Sequence, residues 1–385
     1  MTQVIFTERW DYMKVVAAID SFKGSMTSME AGNAVKKGIL AAKPDAEVWL
    51  SPLADGGEGT VDALIEGLGA EKIPVTVAGP LGEKVSCYYG FLEETKTAVM
   101  EMASAAGITL VIKKDPLRAS TYGVGEMIAD ALKRGCKNFM IGIGGSATND
   151  GGIGMLKALG FEFFDEDGND VGEGAAALAK ITEIRTENKN PLLSGAKFQI
   201  ACDVKNPLCG KQGATYIFGP QKGVTEEQKE QVDEAMRHYA DVTKESLDCD
   251  FADCEGAGAA GGLGYAFLSY LAGELIPGVE LILQATGLEE KMKNADVVVT
   301  GEGRLDAQTV MGKAPAGVAA LAKKYNAKVI AFAGSVAPEA KVCNRAGIDA
   351  FFPIVRGVTT LEEAMKKENA MENIAATAEQ VFRLL

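Results

Sequence analysis

Short apolar runs bounded by polar, glycine-rich segments recur along this 385-residue chain. Lys14 to Ile19 (KVVAAI) is apolar and rich in β-branched residues, which predicts a buried strand of a parallel sheet. DSFKGS follows at Asp20 to Ser25. Thr27 to Ala42 then places Ala31, Val35, Ile39 and Leu40 on one helical face, and Glu30, three residues after Thr27, completes a capping-box pattern. Glu47 to Leu53 reads as a second strand leading into ADGGEGT (Ala54 to Thr60) and a helix through Leu68. This βαβα order predicts an open parallel sheet that binds ligands at the carboxyl ends of its strands.

The pattern changes near Ile73. Residues 73–79, 84–92 and 97–102 are strand-like and separated by turn signals such as Gly79-Pro80 and Gly82, so they read as antiparallel pieces of another domain. A helix at Tyr122 to Arg134 precedes the apolar run Phe139 to Ile143, which opens into GGSATNDGG. An acidic turn follows at Asp165 to Asp170, and a strand at Phe198 to Cys202 ends in Asp203. Thr225 to Leu247 reads as a long charged amphipathic helix, followed by GAGAAGGLG at Gly256 to Gly264. From Asp296 the βα texture returns, with strands at Val297 to Thr300, Val329 to Ala333 and Ala350 to Val355. The expected fold class is therefore α/β with two α/β domains. Residues 1–72 and 286–385 form a parallel-sheet domain from both chain ends, with 1–12 as an extension, and residues 73–285 form an inserted mixed-sheet domain. Such a layout leaves an interdomain cleft, a favoured place for a small-molecule site.

Composition narrows the function classes. A formal net charge of −14 argues against nucleic-acid and anionic-membrane partners, both of which need a basic surface. An anionic small substrate stays possible if amides, Lys, Arg or a divalent metal offset its charge. The seven cysteines are odd in number and include no CxxC pair, which points to reduced thiols in the cytoplasm. No apolar run approaches the roughly 20 residues needed to span a bilayer, and MTQVIFTERWDY lacks the basic and apolar regions of a secretory leader. Oligomeric state is not readable, and a homo-oligomer is left open.

Polar clusters sit at the expected ends of several strands: Asp20 to Ser25, Asp55 to Glu58, Gly145 to Asp150, Asp203, and Gly301 to Asp306. Asp and Gly are common turn residues, but clusters in register with strand ends converge on one sheet edge. The stretch Ile141 to Leu156 reads as strand, polar glycine turn and helix start, a pattern suited to phosphate because glycines admit close approach and helix N-termini present free N–H groups. Gly57-Glu58-Gly59 and Gly301-Glu302-Gly303 share the pattern GEGxxDA. The single histidine, His238, lies in a charged helix and reads as a solvated surface residue, which excludes histidine triads and multi-histidine metal sites. Proton transfer then falls to Asp, Glu, Lys, Cys or Tyr. Lys23, Arg304 and Lys313 are the cations near strand ends. No GxxxxGKS/T occurs, so a P-loop is excluded. Gly256-x-Gly258-x-x-Gly261 matches GxGxxG, but DFADCE stands where a Rossmann strand belongs, and a glycine-rich helix start is the better reading.

Six segments carry a resemblance. DSFKGS (20–25), ADGGEGT (54–60), GIGGSATNDGGIGML (142–156), DVKNPLCGKQGA (203–214), GAGAAGGLG (256–264) and TGEGRLDAQTVMGKAP (300–315) resemble, in this order, the type I glycerate kinases of bacteria. The resemblance runs from about Met13 to the C-terminus. It implies phosphorylation of D-glycerate by ATP with Mg²⁺, typically giving 2-phosphoglycerate, with 3-phosphorylation as the alternative. It also implies a flavodoxin-like domain from both chain ends and an inserted domain of restriction-endonuclease-like arrangement. On this reading Gly144, Gly145, Ser146, Thr148 and Asn149 bind ATP phosphates, with Ser146 and Thr148 as donors. Lys23 stabilises the transferring phosphoryl group, Arg304 holds the substrate carboxylate and Asp306 accepts the hydroxyl proton. Asp20 is a further catalytic candidate; Asp55, Glu302 and Ser25 are substrate-binding candidates; Asp203 and Asp150 are candidates for Mg²⁺. The rivals are a nicotinamide-dependent hydroxy-acid oxidoreductase, resting on the GxGxxG, and a non-enzymatic two-lobed binder of small acids.

Overall fold

The computed structural model describes residues 13–53, 60–311 and 313–385. These divide into two compact units, the first holding 13–53, Glu66–Leu68 and Ile282–Leu385, the second 60–65 and Gly69–Leu281. In chain order the strands are β1 (Lys14–Ile19), β2 (Glu47–Pro52), β3 (Glu71–Ala78), β4 (Lys84–Leu92) and β5 (Thr97–Glu101). They continue with β6 (Asn138–Gly142), β7 (Glu162–Phe164), β8 (Glu183–Arg185), β9 (Lys197–Ala201) and β10 (Glu274–Ile276). The last are β11 (Val297–Leu305), β12 (Lys328–Val336) and β13 (Ala350–Pro353).

In the first unit the order β13-β12-β11-β1-β2 is parallel throughout. Counted within the unit this is 2-1-3-4-5, the flavodoxin-like order, whose switch point lies between its first and third strands, here β1 and β11. Val15 through Ile19 are at most 1% exposed, as a central strand covered on both faces requires. Thr27 caps the Ser28–Ala42 helix with both halves of the capping box: Glu30 N–H donates to Thr27 Oγ1, and Thr27 N–H donates to Glu30 Oε2. Ser28 Oγ donates to Ile19 O at 2.6 Å and accepts Leu53 N–H at 2.9 Å, stitching together the carboxyl ends of β1 and β2.

The third strand of this unit is longer than its sequence suggests. Gly301-Glu302-Gly303 reads as a turn, yet β11 runs on to Leu305, pairing through Arg304 with Ser335 and Leu305 with Val336. Gly301 on this strand and Gly334 on β12 serve close backbone approach: a Cβ on Gly301 would lie 2.2 Å from Phe332 O, and one on Gly334 2.6 Å from Gly303 O.

The second unit is built on a mixed sheet, β10-β9-β6-β5-β4-β3, with β7 and β8 as a separate ribbon. β3, β4 and β5 pair antiparallel, but β5 continues parallel into β6, β9 and β10, so the antiparallel strands extend a parallel sheet. The long charged helix begins at Lys229 rather than Thr225, because residues 226–228 form a turn. His238 is half-buried, and its Nε2 pairs with Ile181 O at 2.7 Å, so it tethers that helix instead of being solvated. The segment 251–258 before Gly261 contains no strand, which removes the dinucleotide reading of the GxGxxG.

The helices Ser28–Ala42 and Lys367–Phe382 touch at Gly38, where an added Cβ would lie 2.1 Å from Ala375 O. Gly38→Ala is expected to destabilise the protein by about 1–3 kcal/mol, the cost of overpacking exceeding the gain in helix propensity. Gly357→Ala, where nothing lies within 4 Å, should be silent in the same thermal melts.

Candidate active site

In the first unit the end of β1 is joined to the middle of β11 by the Asp20 N–H, which donates to Gly301 O at 2.9 Å. Asp20 is 7% exposed, and its Oδ1 accepts the Ser21 N–H at 2.7 Å. Phe22 to Met26 close a tight turn, with Phe22 N–H on Met26 O and Ser25 N–H on Phe22 O. The Ser25 hydroxyl on that turn is buried and has no hydrogen-bond partner among the described residues.

Because side chains alternate along a strand, Glu302 and Arg304 share one face of β11, and Asp306 just beyond it continues the series. Glu302, 7% exposed, accepts from Thr309 Oγ1 at 2.6 Å and lies 3.5 Å from Lys313 Nζ. Burial raises its pKa, and the bonds to Thr309 and Lys313 oppose the rise. Arg304 is exposed, with Nε 3.7 Å from Asp306 Oδ2, while Asp306 Oδ1 accepts the Gln308 N–H at 2.9 Å.

A cavity of about 590 Å³ lies over these groups. Asp20, Lys23, Ser25, Glu302, Arg304, Asp306 and Lys313 all line it, so sequence candidates from two segments far apart in the chain meet in one place. Asp55 lies outside the described residues, as do Gly57 and Glu58 of the first GEGxxDA. Ser335, Thr359, Thr360 and Asn373 add polar lining, with Ile354, Leu361 and Met365 as apolar wall. Sequence reasoning missed these because single polar residues in the C-terminal segment carry no local motif. Their packing onto the sheet gives them their place.

In the second unit the glycine turn leaves β6 after Gly142. Gly144 and Gly145 are exposed, whereas Ser146, Thr148, Asn149 and Asp150 are buried. Ala147 N–H donates to Ala106 O, but the N–H groups of Gly144, Gly145, Ser146, Thr148 and Asn149 have no acceptor among the described residues. Thr148 Oγ1 and Asn149 Oδ1 are likewise buried without partners. Free amides on glycine-rich backbone suit phosphate oxygens. GAGAAGGLG backs this turn: Gly151 N–H donates to Gly261 O at 2.9 Å, and a Cβ on Gly261 would lie 2.2 Å from Thr148 O.

Asp150 is corrected as a metal candidate. It is 0% exposed, and its carboxylate accepts from Thr121 N–H and Oγ1, each at 2.8 Å, and from the N–H groups of Gly152 and Gly154 at 3.1 and 3.3 Å. The carboxylate thus fills the N-terminus of the Ile153–Ala158 helix with the protein's own anion, so that terminus is not open to phosphate either. Asp203 is exposed and accepts the Gly278 N–H at 2.9 Å, capping the Gly278–Ala285 helix. Among the described residues no three His, Cys, Asp or Glu form a metal-holding group. A Mg²⁺ ion bound chiefly through substrate phosphates and water needs only one or two carboxylates, so this donor set fits an ion carried in by ATP.

Comparison with known proteins settles the family. The chain matches the model of the Glycerate kinase family over residues 15–385. The chain belongs to the glycerate kinase family. It is 44% identical over 371 residues to the glycerate kinase of Bacillus subtilis strain 168, covering 96% of this chain and 97% of that one. It is 45% identical over 372 residues to the glycerate 2-kinase of Escherichia coli K12, covering 95% and 98%. A crystal structure described as glycerate kinase 2 from Salmonella typhimurium LT2 superimposes with a TM-score of 0.89 at 43% identity, covering 96% and 97% of the two chains. Family membership makes the protein a kinase, and no helix among the described residues is long and apolar enough to cross a membrane.

Asp150→Ala is expected to lower stability by about 3–5 kcal/mol, because it orphans four buried donors at once. The melting temperature should fall equally with Mg²⁺ and with chelator. A fall seen only when Mg²⁺ is present would return Asp150 to the metal site.

Proposed function

We propose that the protein transfers the γ-phosphoryl group of ATP to the 2-hydroxyl of D-glycerate, giving 2-phosphoglycerate and ADP. The observation that carries this reading is the meeting of Asp20, Lys23, Glu302, Arg304 and Asp306 in one cavity at the switch point of a parallel sheet, in a member of the glycerate kinase family. A three-carbon acid presents one carboxylate and two hydroxyls, and this cavity holds cations for the former and carboxylates for the latter.

Arg304 holds the substrate carboxylate through its planar fork. Asp306 takes the proton of the attacking hydroxyl; its Oδ2 is the oxygen not occupied by the Gln308 N–H. Asp20, Ser25 and Glu302 position the substrate hydroxyls, with Asp55 as a further substrate residue. Lys23 offsets charge on the phosphoryl group in flight. Gly144, Gly145, Ser146, Thr148 and Asn149 bind ATP phosphates, a role supported by their N–H groups, which have no acceptor among the described residues. Asp203, an exposed carboxylate, would hold Mg²⁺ brought in with ATP, and the ion would supply charge neutralisation at the phosphate oxygens. Positioning and charge neutralisation of this kind carry most of the catalysis in phosphoryl transfer. The unpaired state of all seven thiols supports a cytoplasmic setting.

ADP release from ATP should depend on added D-glycerate. Asp306→Asn should cut kcat by roughly 10²–10⁴-fold, the range for losing a general base. Turnover near that of the unaltered enzyme would remove Asp306 from the mechanism. Arg304→Ala should raise KM for glycerate at least tenfold and leave KM for ATP nearly unchanged; equal rises in both would remove it from the carboxylate.

A further inference from the structure

Lys222 ends the Ala214–Lys222 helix and is 2% exposed. Its Nζ donates to Thr148 O at 2.7 Å, and no carboxylate within ion-pair distance meets it among the described residues. A buried ammonium held mainly by a carbonyl is uncommon, since burial disfavours the charged form unless it is paired. The same helix grips the turn a second time. Thr215, about two helical turns earlier and so on the same face, accepts the Asn149 Nδ2–H at 3.1 Å.

The hydrogen bond to Thr148 has a directional consequence. In a trans peptide the C=O and N–H point to opposite sides. Fixing Thr148 O on the ammonium therefore turns the Asn149 N–H to the other side of the turn, where it has no acceptor among the described residues. Thr148 Oγ1 and Asn149 Oδ1, both fully buried, also lack partners there. We propose that Lys222 is a positioning residue for nucleotide phosphate. Its ammonium sets the Thr148–Asn149 peptide with the N–H toward the anion, and the bound anion in return keeps the ammonium charged. This rests on the ATP-binding reading of the turn.

Among the described residues the groups facing Lys222 are few. On the turn Asp150 is the opposing carboxylate: burial raises its own pKa against the bonds from Thr121, Gly152 and Gly154, and its ionised form favours the protonated lysine. The adjoining Lys229–Leu247 helix contributes the buried groups Asp233, committed to the Gly210 N–H, and Tyr239. Lys114 packs near Gly223, and the Ala259–Gly261 segment carries no titratable group. Burial pushes the Lys222 ammonium down to about 7 in the protein without ligand. Above that pH the empty turn has a largely neutral lysine, and binding an anion must draw a proton from solution. Affinity for nucleotide therefore falls as pH rises from 7 to 9.

The test is calorimetric titration of the whole protein with MgADP at pH 8, in buffers of different ionisation enthalpy, where the nucleotide itself is fully ionised. The expected result is net proton uptake on binding, approaching one proton per bound nucleotide. Lys222→Arg, which stays charged, should bind MgADP with no uptake. Lys222→Met should weaken MgADP at least tenfold and leave KM for glycerate within twofold. Binding by the unaltered protein without proton uptake overturns the proposal, as does uptake that persists in Lys222→Arg. Failure of the unaltered protein to bind MgADP at all overturns the ATP-binding reading beneath it.

Discussion

The parallel pairing of β1 with β11 joins segments some 280 residues apart in sequence, and the site in the first unit depends on it. Val15, Val16 and Ala17 sit in register with Val297, Val298 and Val299, and all are nearly or wholly buried. This register places Asp20 beside Gly301 and carries Glu302, Arg304 and Asp306 out along the same edge. Apolar burial drives the pairing, and the polar groups follow because they occupy the next positions along each strand. Lys14 N–H donating to Asp296 Oδ2 at 2.8 Å, and Asp296 N–H donating to Lys14 O at 2.9 Å, fix the other end of the same register.

The second unit solves a different problem, that of keeping a polar turn rigid. Asp150 gathers donors from Thr121, Gly152 and Gly154, Thr215 holds Asn149, and Lys222 holds the Thr148 carbonyl. Side chains whose hydrogen bonds lie within the protein fix the backbone, leaving several N–H groups of the turn for a ligand. Such preorganisation lets amides stabilise anionic charge without reorganising during the reaction.

Much of this was legible in the residues and some was not. Strand β1 and the helix capped by Thr27 and Glu30 could be read directly, because apolar runs and capping boxes are local signals. The polar clusters at 20–25 and 301–306 also declared themselves, since Asp, Lys and Gly gathered at strand ends are conspicuous. The continuation of β11 through Gly301 and Gly303 was hidden. A glycine that admits a neighbouring strand, as Gly301 does, looks the same in sequence as a glycine that turns the chain. Asp150 was misread for a similar reason: a carboxylate beside a glycine turn looks like a ligand until its donors are seen. The walls supplied by Thr359, Thr360 and Asn373, and the burial of Lys222, arise from tertiary packing alone.

The central claim is the reaction itself: a phosphoryl group passes from ATP to the 2-hydroxyl of D-glycerate. ³¹P NMR of the product formed by this protein from ATP and D-glycerate tests it directly. The account predicts a phosphorus resonance coupled to a single carbon-bound proton, that of C2, growing together with ADP. A resonance coupled to two protons would place the phosphate on C3, and the absence of any phosphoglycerate would contradict the assignment of this cavity to glycerate.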